Sequence, residues 1–445
     1  MIRALLAAAF LVLLLAAPAS AQEDDGLPNL LVVMTDDQRA QGTMAVMPET
    51  RRKIGRQGTT YSNAHATTPK CCPSRASFFT GRYAHNHGVI SNSRGANLDQ
   101  SHTVQRLLQQ RGYLTGIFGK YLNAWPVEVS PPFFDEWAIS NGGFENTFWN
   151  LDGRVRRKHR YATDLVADWA LQFVRQAERR DDTQPWLAWV TPYAPHLPST
   201  PAQRHSDARL PSFPLTPAMQ ETDLSDKPDF LEAARHQEER LAAARDDGRR
   251  TLIAVDEMVR RLMDELRKQG EAENTLVVFT SDNGFMLGEH GGVVGKDLPY
   301  PASTGIPLLV RWPGHFRAGR KNSKLVANID VAATLLDAAG VERQTDGRSL
   351  LEPGRRSALL VESRGSYSED RAPRLPGFRS ILTKNYRFAE YYRHDTFDLM
   401  FREYYNLGID PWELENRAPE LSPERRAELS DRLEEYGTCR GSSCP

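Results

Sequence analysis

The run Cys71-Cys72-Pro73-Ser74-Arg75, continued by Ala76-Ser77-Phe78-Phe79-Thr80-Gly81, is the most distinctive group of reactive side chains in the sequence. Two adjacent thiols before a proline could form an irregular turn that supplies disulfides to Cys439 and Cys444. The four cysteines allow three pairings, and the sequence alone does not choose among them. If the two C-terminal cysteines close a short loop with each other, the first two have no obligatory partner and a thiol is left for chemistry.

Two pairs of oxygen-bearing side chains each follow a short apolar run: Asp36-Asp37 after residues 30–34, and Asp282-Asn283 after residues 276–279. Hard divalent cations such as Ca²⁺ prefer carboxylate and amide oxygens as ligands. Either pair alone is also typical of a turn or a helix N-cap, where Asp and Asn are favoured. Two neighbouring parallel strands could bring the four side chains together. The sequence therefore predicts a divalent metal site, with Ca²⁺ as the expected ion and Mg²⁺ as the alternative.

Apolar runs that alternate with helical patterns must position these side chains. The apolar runs predict buried strands at residues 30–34, 113–118, 186–190, 276–279 and 308–310. Helical spacing predicts a helix over residues 252–266, ended by Gly270, and another over residues 331–339. This alternation predicts an α/β fold with a large, mixed but mostly parallel sheet between layers of helices. Ligands in such folds bind beyond the carboxyl ends of the strands.

The remaining segments differ in composition. Residues 201–250 are rich in Pro, Asp, Glu, Arg and Gln, and they predict a surface excursion with a solvated helix near residues 230–245. Such a charged face is either simply solvent-exposed or borders the substrate cleft. Short alternating runs after Pro353, at residues 379–382 and 386–389, predict a small antiparallel sheet, and a polar helix follows over residues 422–436. We therefore expect a main α/β domain over residues 22–353 and a C-terminal α+β subdomain over residues 354–445.

The amino terminus has the pattern of a secretory signal. Arg3 precedes an apolar stretch over residues 4–17, and Ala19-Ser20-Ala21 offers a small-x-small cleavage site. A membrane span requires about 20 apolar residues, so we expect a signal peptide over residues 1–21, a secreted or periplasmic protein and no stable membrane span. The formal net charge of −1 argues against nucleic acid as a partner, because nucleic-acid-binding proteins usually carry a basic excess.

The Cys71 motif, with x-Pro-x-Arg after the cysteine and then an apolar pair and Thr80-Gly81, resembles the signature of the type I sulfatases of the alkaline phosphatase superfamily. The resemblance implies that a formylglycine-generating maturation enzyme oxidises Cys71 before folding to Cα-formylglycine, an aldehyde. In the hydrated aldehyde one hydroxyl attacks the sulfate ester, and the other later expels the captured sulfate. The resemblance also implies a calcium ion that touches the oxygen at position 71 and is held by Asp36, Asp37, Asp282 and Asn283.

The resemblance assigns roles to cationic side chains as well. Arg75 is expected to hold the formylglycine, and the sulfate is expected to be surrounded by Lys120, His196 and Lys296. Each lysine alone could be a surface charge, and the histidine could cap a loop. Fixed cations aimed at sulfate oxygens stabilise the charge that develops in the transition state. His196 and Lys296 are both candidates for the group that protonates the leaving alcohol.

The sequence departs from the family pattern at Asn123. Many arylsulfatases have a histidine at this position that helps to deprotonate the diol for sulfate release. Asparagine can form hydrogen bonds but cannot act as a base, so another group must take that role. Asp282 is one candidate, and the others are the histidines His85, His87 and His290.

Within the family the resemblance is strongest to the N-acetylglucosamine-6-sulfatases, through Gly119-Lys120-Tyr121-Leu122-Asn123, Ala194-Pro195-His196 and Asn150-Leu151-Asp152-Gly153. It implies hydrolysis of sulfate monoesters on a sulfated carbohydrate such as N-acetylglucosamine 6-sulfate, or on an aryl sulfate. It makes residues 22–353 the catalytic domain. Two alternatives stay open: a phosphonate or phosphate ester hydrolase of the same superfamily, and a non-catalytic sulfated-glycan-binding protein with an unconverted Cys71.

Overall fold

The structure is a computed structural model that describes residues 26–181, 183–234, 238–342, 344–365, 375–393 and 396–445. The side chains of residues 232–234, 238–240 and 243 are not described either. The predicted signal peptide lies outside the described residues and stays a prediction. Within the described part of the chain, no helix combines the length and the apolar character that crossing a membrane requires.

Strands and helices alternate through most of the chain. The strands are β1 (Asn29–Thr35), β2 (Thr59–His65), β3 (Leu114–Lys120), β4 (Glu136–Ser140), β5 (Thr147–Leu151), β6 (Arg154–Lys158), β7 (Trp186–Thr191), β8 (Thr275–Ser281), β9 (Met286–Gly288), β10 (Val293–Gly295), β11 (Leu308–Arg311), β12 (Arg320–Ala327), β13 (Ala358–Ser363), β14 (Gly377–Thr383), β15 (Tyr386–Tyr392) and β16 (Leu399–Asn406). The helices are α1 (Pro48–Thr50), α2 (Cys71–Thr80), α3 (Ala84–His87), α4 (Val104–Gln110), α5 (Ala162–Arg180), α6 (Glu238–Gln269), α7 (Glu289–Gly292), α8 (Pro301–Thr304), α9 (Ile329–Ala338) and α10 (Pro423–Tyr436).

The main sheet has ten strands in the order β12-β2-β11-β8-β1-β7-β3-β4-β5-β6. At its centre β1 is parallel to both β8 and β7, and β3 is parallel to β7 and β4. β11 is antiparallel to β8 and β2, and the β5–β6 hairpin is antiparallel to β4. The predicted mixed, mostly parallel α/β sheet is therefore confirmed.

The central strands are apolar throughout because both of their faces are buried. Along β1, Leu30 and Val32 pack in the layer that contains α2, α4 and α9, whereas Leu31 and Val33 pack in the layer of α5 and α6. Side chains alternate between the two faces of a strand, so a strand covered on both sides is apolar at every position. Each fully buried aliphatic side chain contributes about 1.5–3 kcal/mol.

Strands with exposed faces escaped the sequence prediction. β2, β4, β5, β6 and β12 carry polar and half-exposed residues, so no continuous apolar run marks them. The segment near residues 230–245 also differs from the prediction of a separate solvated helix. Residues 229–234 form a 3₁₀ helix, residues 235–237 lie outside the described part, and the rest belongs to α6. The predicted helix over residues 252–266 is the second half of α6, and it ends at Gly270 as expected.

The C-terminal region forms a second sheet of four antiparallel strands in the order β13-β14-β15-β16. Leu429 and Leu433 of α10 pack in the same core as this sheet, and the Ser422 side chain caps the helix by accepting a hydrogen bond from the Arg425 N–H. The predicted antiparallel sheet and polar helix are confirmed. The domain boundary after residue 353 stays a prediction.

A disulfide joins Cys439 and Cys444, whereas Cys71 and Cys72 are buried free cysteines. Of the pairings left open by the sequence, the structure thus has the one that closes the short terminal loop.

The region of the C-terminal sheet contains a fully buried ion pair that offers a stability test. Arg387 Nε donates to Glu413 Oε1 at 2.6 Å, and neither side chain is more than 1% exposed. Removing one partner of a buried pair leaves an uncompensated charge and costs about 3–5 kcal/mol. We expect Arg387→Met to lower the thermal unfolding midpoint strongly. The control Arg52→Met breaks the more exposed pair with Glu49, which is worth roughly 0–1 kcal/mol. Equal shifts for both variants would contradict the assignment.

His85 links the main domain to the C-terminal region and predicts a pH dependence of stability. Its Nδ1 lies 2.8 Å from Glu362 Oε1 on β13, and its Nε2 lies 3.0 Å from the Cys439 carbonyl oxygen. Burial lowers the pKa of His85, but the hydrogen bond and charge of Glu362 outweigh burial and raise it above 6.5. Burial raises the pKa of Glu362, but His85 and Arg379 lower it below 4.5.

The His85 contribution to stability is full below pH 6.5 and is lost as the pH rises through the raised value. The Glu362 contribution is full above pH 4.5 and is lost as the pH falls through the lowered value. We therefore expect His85→Gln to destabilise most between these limits and less in alkaline buffer, measured by thermal unfolding across pH. The exposed His315, which stacks on Trp312, provides the control variant His315→Gln. A flat difference for His85→Gln would contradict the linkage.

Candidate active site

The carboxyl ends of the central parallel strands bring the predicted residues to one point. Thr35 at the end of β1 pairs in register with Ser281 at the end of β8, so Asp36-Asp37 and Asp282-Asn283 follow side by side. The Asp37 N–H donates to Asp282 Oδ1 at 3.0 Å, and Asn283 Nδ2 donates to Asp37 Oδ1 at 2.7 Å. The two pairs, which are distant in sequence, form one buried cluster.

Lys120 and His196 reach the same cluster from the next strands. Lys120 is the last residue of β3, and its Nζ lies 2.6 Å from Asp36 Oδ2. Gly119 before it is required, because a Cβ there would lie 2.0 Å from the Thr191 carbonyl oxygen. His196 follows β7, and its Nε2 lies 3.6 Å from Asp37 Oδ2. Both residues thus face the carboxylates from one side.

Cys71 is the first residue of α2, so it sits at the positive end of a helix dipole. Its Sγ lies 3.3 Å from Asp36 Oδ1, 3.7 Å from Asp37 Oδ1 and 2.6 Å from Lys296 Nζ. Lys296 also donates to Asp37. Every residue of α2 is buried, and the side chain at position 71 is therefore held inside the carboxylate and lysine cluster.

Arg75 lies one helical turn beyond Cys71 and links Asp36 to Asp282. Its Nε donates to Asp282 Oδ2 at 2.7 Å, its Nη1 donates to the Lys120 carbonyl oxygen at 2.7 Å, and its Nη2 lies 3.7 Å from Asp36. The structure therefore places Arg75 behind the cluster, as a support for Asp282 and for the end of β3.

The charges in the cluster set the protonation of its members. Burial alone would raise the pKa of Asp36, but Lys120, His196 and Arg75 outweigh it and keep the carboxyl ionised. Burial also raises the pKa of Asp37, and Lys296 and His196 reverse this to a net lowering. Burial, assisted by Asp36, raises the pKa of the Cys71 thiol well above its usual value. An unmodified Cys71 is therefore a neutral thiol and a weak nucleophile.

The donor atoms of the cluster fit a hard divalent cation. Carboxylate oxygens of Asp36 and Asp37, the Cys71 Sγ and a ring nitrogen of His196 all lie within 4.8 Å of one another. Asn283 Oδ1 is buried and accepts no hydrogen bond from any described residue, so it is available as a ligand. Asp282 Oδ1 already accepts the N–H groups of Asp37 and Asn283. Oxygen-rich sites of this kind suit Ca²⁺ or Mg²⁺.

Lys296 follows a small hairpin, β9–β10, whose tip is tethered by one buried ion pair and one buried hydrogen bond. Glu289 pairs with Arg39 at 2.6 Å, and His290 Nδ1 lies 2.6 Å from Glu221 Oε2. Neither tether was predicted from the sequence. Arg39 follows the Asp36-Asp37 motif closely and could have been suspected, but Glu221 lies in the polar excursion, where no pattern marks it. The excursion therefore borders the site.

Asn328 and Leu197, which no sequence pattern marked, orient predicted residues of the site. Asn328 Nδ2 donates to Ser74 Oγ at 2.9 Å, and Ser74 in turn donates to the Asp282 carbonyl oxygen. The Leu197 carbonyl oxygen lies 2.5 Å from His196 Nδ1. A carbonyl only accepts hydrogen bonds, so it selects a proton on Nδ1 and leaves Nε2 to face the cluster.

The spare histidines named as candidate bases lie in other surroundings. His85 contacts Glu362, as described above. His87 Nδ1 accepts the Val89 N–H and its Nε2 lies 3.1 Å from Ser77 Oγ, while His290 pairs with Glu221. Asn123 presents its carbonyl oxygen to Cys72 Sγ at 3.7 Å. Of the candidate bases, Asp282 is the one with direct contacts to the described cluster.

Comparison with known proteins agrees with this geometry. A family model described as Sulfatase matches residues 28–341, and one described as N-sulphoglucosamine sulphohydrolase, C-terminal, matches residues 288–437. The Extracellular sulfatase SULF-1 homolog of Drosophila melanogaster is 33% identical over 347 residues, which cover 73% of this chain and 31% of that protein. The chain thus spans about a third of that relative's length.

Other relatives match over most of their length. Human N-acetylglucosamine-6-sulfatase is 29% identical over 477 residues, covering 94% of this chain and 86% of that protein. A solved structure of a protein in complex with its substrate D-glucosamine-2-N,6-O-disulfate is 27% identical, with a TM-score of 0.76, covering 92% of this chain and 97% of that chain. The resemblance seen in the Cys71 motif is confirmed, and the family match over most of the chain shows that the chain belongs to the sulfatase family.

Proposed function

We propose that the chain is a sulfuric ester hydrolase that removes sulfate from a sulfated sugar, with N-acetylglucosamine 6-sulfate as the leading candidate. The observation that carries this proposal is the position of Cys71, at the head of α2 between two carboxylates and Lys296. Two of the proteins named above, human N-acetylglucosamine-6-sulfatase and the one solved with D-glucosamine-2-N,6-O-disulfate, have glucosamine sulfates in their names or descriptions, which supports the choice of sugar.

Conversion of Cys71 to formylglycine would supply a geminal diol for attack on sulfur and for later release of sulfate. A Ca²⁺ or Mg²⁺ ion held by Asp36, Asp37, Asp282 and Asn283 would supply a Lewis acid. The protein's own part is positioning. Arg75 fixes Asp282 and the end of β3, so that the side chain at position 71 and the carboxylates keep their spacing.

Lys120, His196 and Lys296 bind the sulfate oxygens in this proposal. Asp36, Asp37 and Asp282 face three permanent cations, Arg75, Lys120 and Lys296, in the cluster. A bound divalent cation then leaves a positive excess that matches an anionic ester. His196 Nε2 and Lys296 Nζ both face the cluster, and either can protonate the leaving alcohol, a contribution of roughly 10²–10⁴-fold in rate. The group that accepts a proton during sulfate release stays a prediction: Asp282 contacts the cluster, but its oxygens accept the Arg75 Nε–H and the N–H groups of Asp37 and Asn283.

A cavity near the start of α2 has room for a sugar as the leaving group, although none of the nine site residues lines it. A cavity of 940 Å³ is lined by Thr68, close before Cys71, and by Ser91, Glu362, Arg364 and Tyr392 among others. Lys70 Nζ donates to the Gly365 carbonyl oxygen at 2.6 Å, which ties the start of α2 to this wall. Hydroxyl, carboxylate and guanidinium groups together with an aromatic ring suit a polar ring with several hydroxyls.

We also propose that the protein is exported from the cytosol. The amino-terminal signal pattern and the disulfide between Cys439 and Cys444 both suit an oxidising compartment outside the cytosol. A secreted or periplasmic enzyme would meet sulfated glycans there, after maturation of Cys71 in the unfolded chain.

The nucleophile is tested by comparing Cys71→Ala with its neighbour Cys72→Ala. We expect Cys71→Ala to fold and to lose turnover of 4-nitrophenyl sulfate on the order of 10⁶-fold, the scale found for removal of a covalent nucleophile. Cys72 is buried with its Sγ toward the Asn123 carbonyl, so Cys72→Ala should keep turnover. Peptide mass spectrometry should find an aldehyde at position 71 in wild type and in Cys72→Ala.

The same assay separates the alternatives. A higher kcat/KM for 4-nitrophenyl phosphate or phosphonate than for the sulfate would favour the phosphorus ester hydrolase. Binding of sulfated glycan without turnover, by a protein with an unconverted thiol at Cys71, would favour the non-catalytic alternative. Substantial turnover by Cys71→Ala would refute the assigned nucleophile.

The metal site is tested by chelation and by Asn283→Leu. Removal of divalent ions should abolish turnover, and added Ca²⁺ should restore it. Ca²⁺ at a hundredfold excess over its Kd should also raise the free energy of unfolding by about 2.7 kcal/mol, seen as a higher unfolding midpoint. Leucine has nearly the shape of asparagine but no ligand oxygen, so Asn283→Leu should reduce the Ca²⁺-dependent shift, whereas Asn283→Asp should keep it. Full activity in metal-free protein, with metal removal verified, would contradict the site.

A further inference from the structure

The edge strand β6 carries a concentration of positive charge that the proposed reaction does not use. Its sequence from Arg154 is Arg-Val-Arg-Arg-Lys, and it is the last strand of the main sheet. We call Arg154, Arg156, Arg157 and Lys158 the basic edge. The three arginines are exposed and the lysine is half-buried. The whole chain has a formal net charge of −1, so this concentration is local.

The basic edge has no counter-charges of its own. Among the described residues, none of its four side chains forms an ion pair with a carboxylate, whereas the neighbouring Arg160 pairs with Asp168 at 2.8 Å. Its hydrogen bonds go to backbone carbonyls: Arg156 to Val155 and Arg157 to Asn146. Like charges about 7 Å apart on one face of a strand repel one another, and a bound polyanion would relieve that repulsion.

An exposed aromatic ring lies beside one of these charges, Arg157. Phe148 on β5 is directly opposite Arg157 on β6, is 57% exposed, and has the Arg157 guanidinium 5.8 Å from its ring centroid. The apolar C–H face of a pyranose ring packs well on such a ring, while a sulfate or carboxylate group on the same sugar contacts Arg157. Arg154, Arg156 and Lys158 lie on the opposite face of β6, where they can contact other sugars of a chain that passes around this edge. The combination distinguishes a glycan surface from a plain charged surface.

The basic edge runs toward the same rim of the sheet as the candidate active site. β4 is parallel to β3, β5 is antiparallel to β4, and β6 is antiparallel to β5. β6 therefore runs in the direction of β3, and Lys158 lies at the rim where β3 ends with Lys120. The strand spacing places β6 about 15 Å from β3 and about 24 Å from β1, a distance that an oligosaccharide spans.

We propose that the basic edge and Phe148 form an accessory binding surface for a sulfated polysaccharide, which holds one part of the chain while a sulfate ester of another part lies at Cys71. The second half of this statement rests on the proposed function, but binding to the basic edge does not. The substrate class is accordingly a polyanionic glycan chain, not an isolated monosaccharide sulfate.

Binding is tested with heparin as the probe and with the Cys71→Ala protein, so that turnover cannot remove the ligand. In this background, Arg154→Gln, Arg156→Gln, Arg157→Gln and Lys158→Gln are combined in one variant. The matched control combines Arg51→Gln, Arg52→Gln, Arg56→Gln and Lys321→Gln, which remove three exposed arginines and one exposed lysine near the opposite edge of the sheet. We expect the first variant to bind heparin about tenfold or more weakly and with a shallower salt dependence, and the control to bind almost as the parent does.

Three outcomes would overturn the proposal. The first is equal heparin affinity for the two combined variants in monodisperse solutions. The second is self-association of the β6 variant while its dispersed fraction binds heparin as before, because the charges would then protect a free sheet edge from pairing. The third is tighter binding of a short DNA duplex than of heparin, which would assign the surface to nucleic acid.

A second readout separates this proposal from the proposed function. With Cys71 restored, the β6 variant should keep the kcat/KM for 4-nitrophenyl sulfate and show a raised KM for sulfated polymer. If wild type turns over neither substrate but the heparin result stands, the proposed function fails and the accessory surface survives. If wild type turns over both and the β6 variant matches it on polymer, the coupling of this surface to the substrate is refuted.

Discussion

Burying a carboxylate costs several kcal/mol unless a cation lies beside it, and Asp36, Asp37 and Asp282 are all fully or almost fully buried at one point of this molecule. Lys120, Lys296 and Arg75 compensate them through contacts with one or two carboxylates each. Removal of any member takes away part of the charge compensation of its buried partners. The site is therefore held rigid by the same charges that suit it to an anionic ester and a divalent ion.

This mutual compensation is achieved by parallel strands that end at one rim. The register between β1 and β8 places Asp36-Asp37 and Asp282-Asn283 at the same level of the sheet. The neighbouring strands β3 and β7 add Lys120 and His196. α2 then points its N-terminus into the same space with Cys71 as its first residue. Preorganised charges of this kind act on the transition state without reorganising at the moment of reaction.

Lys296 lies in the loop after β10, and parts of the molecule outside the central strands hold it in position. The β9–β10 hairpin has little sheet of its own, and its tip is fixed by Arg39 from the β1 loop and by Glu221 from the polar excursion. His290 also packs against Tyr300, whose hydroxyl donates to the buried Glu403 of the C-terminal sheet at 2.7 Å. The position of Lys296 thus depends jointly on the loop after β1, the polar excursion and the C-terminal sheet.

The sequence by itself determined the elements whose signal is local. Runs such as residues 30–34 and 276–279 are apolar at every position because both faces of those strands are buried. The motif around Cys71 indicated the family, and the resemblance predicted nine site residues, which the structure brings together. Edge strands such as β6 and β12 were not predictable in this way, because exposed faces impose no apolar pattern. Only the tertiary structure decided that Glu221 faces His290, that Arg75 braces Asp282, and that the basic strand shares a rim with the site. Contacts between residues far apart in sequence depend on strand register and packing, which cannot be read directly from a single amino-acid sequence.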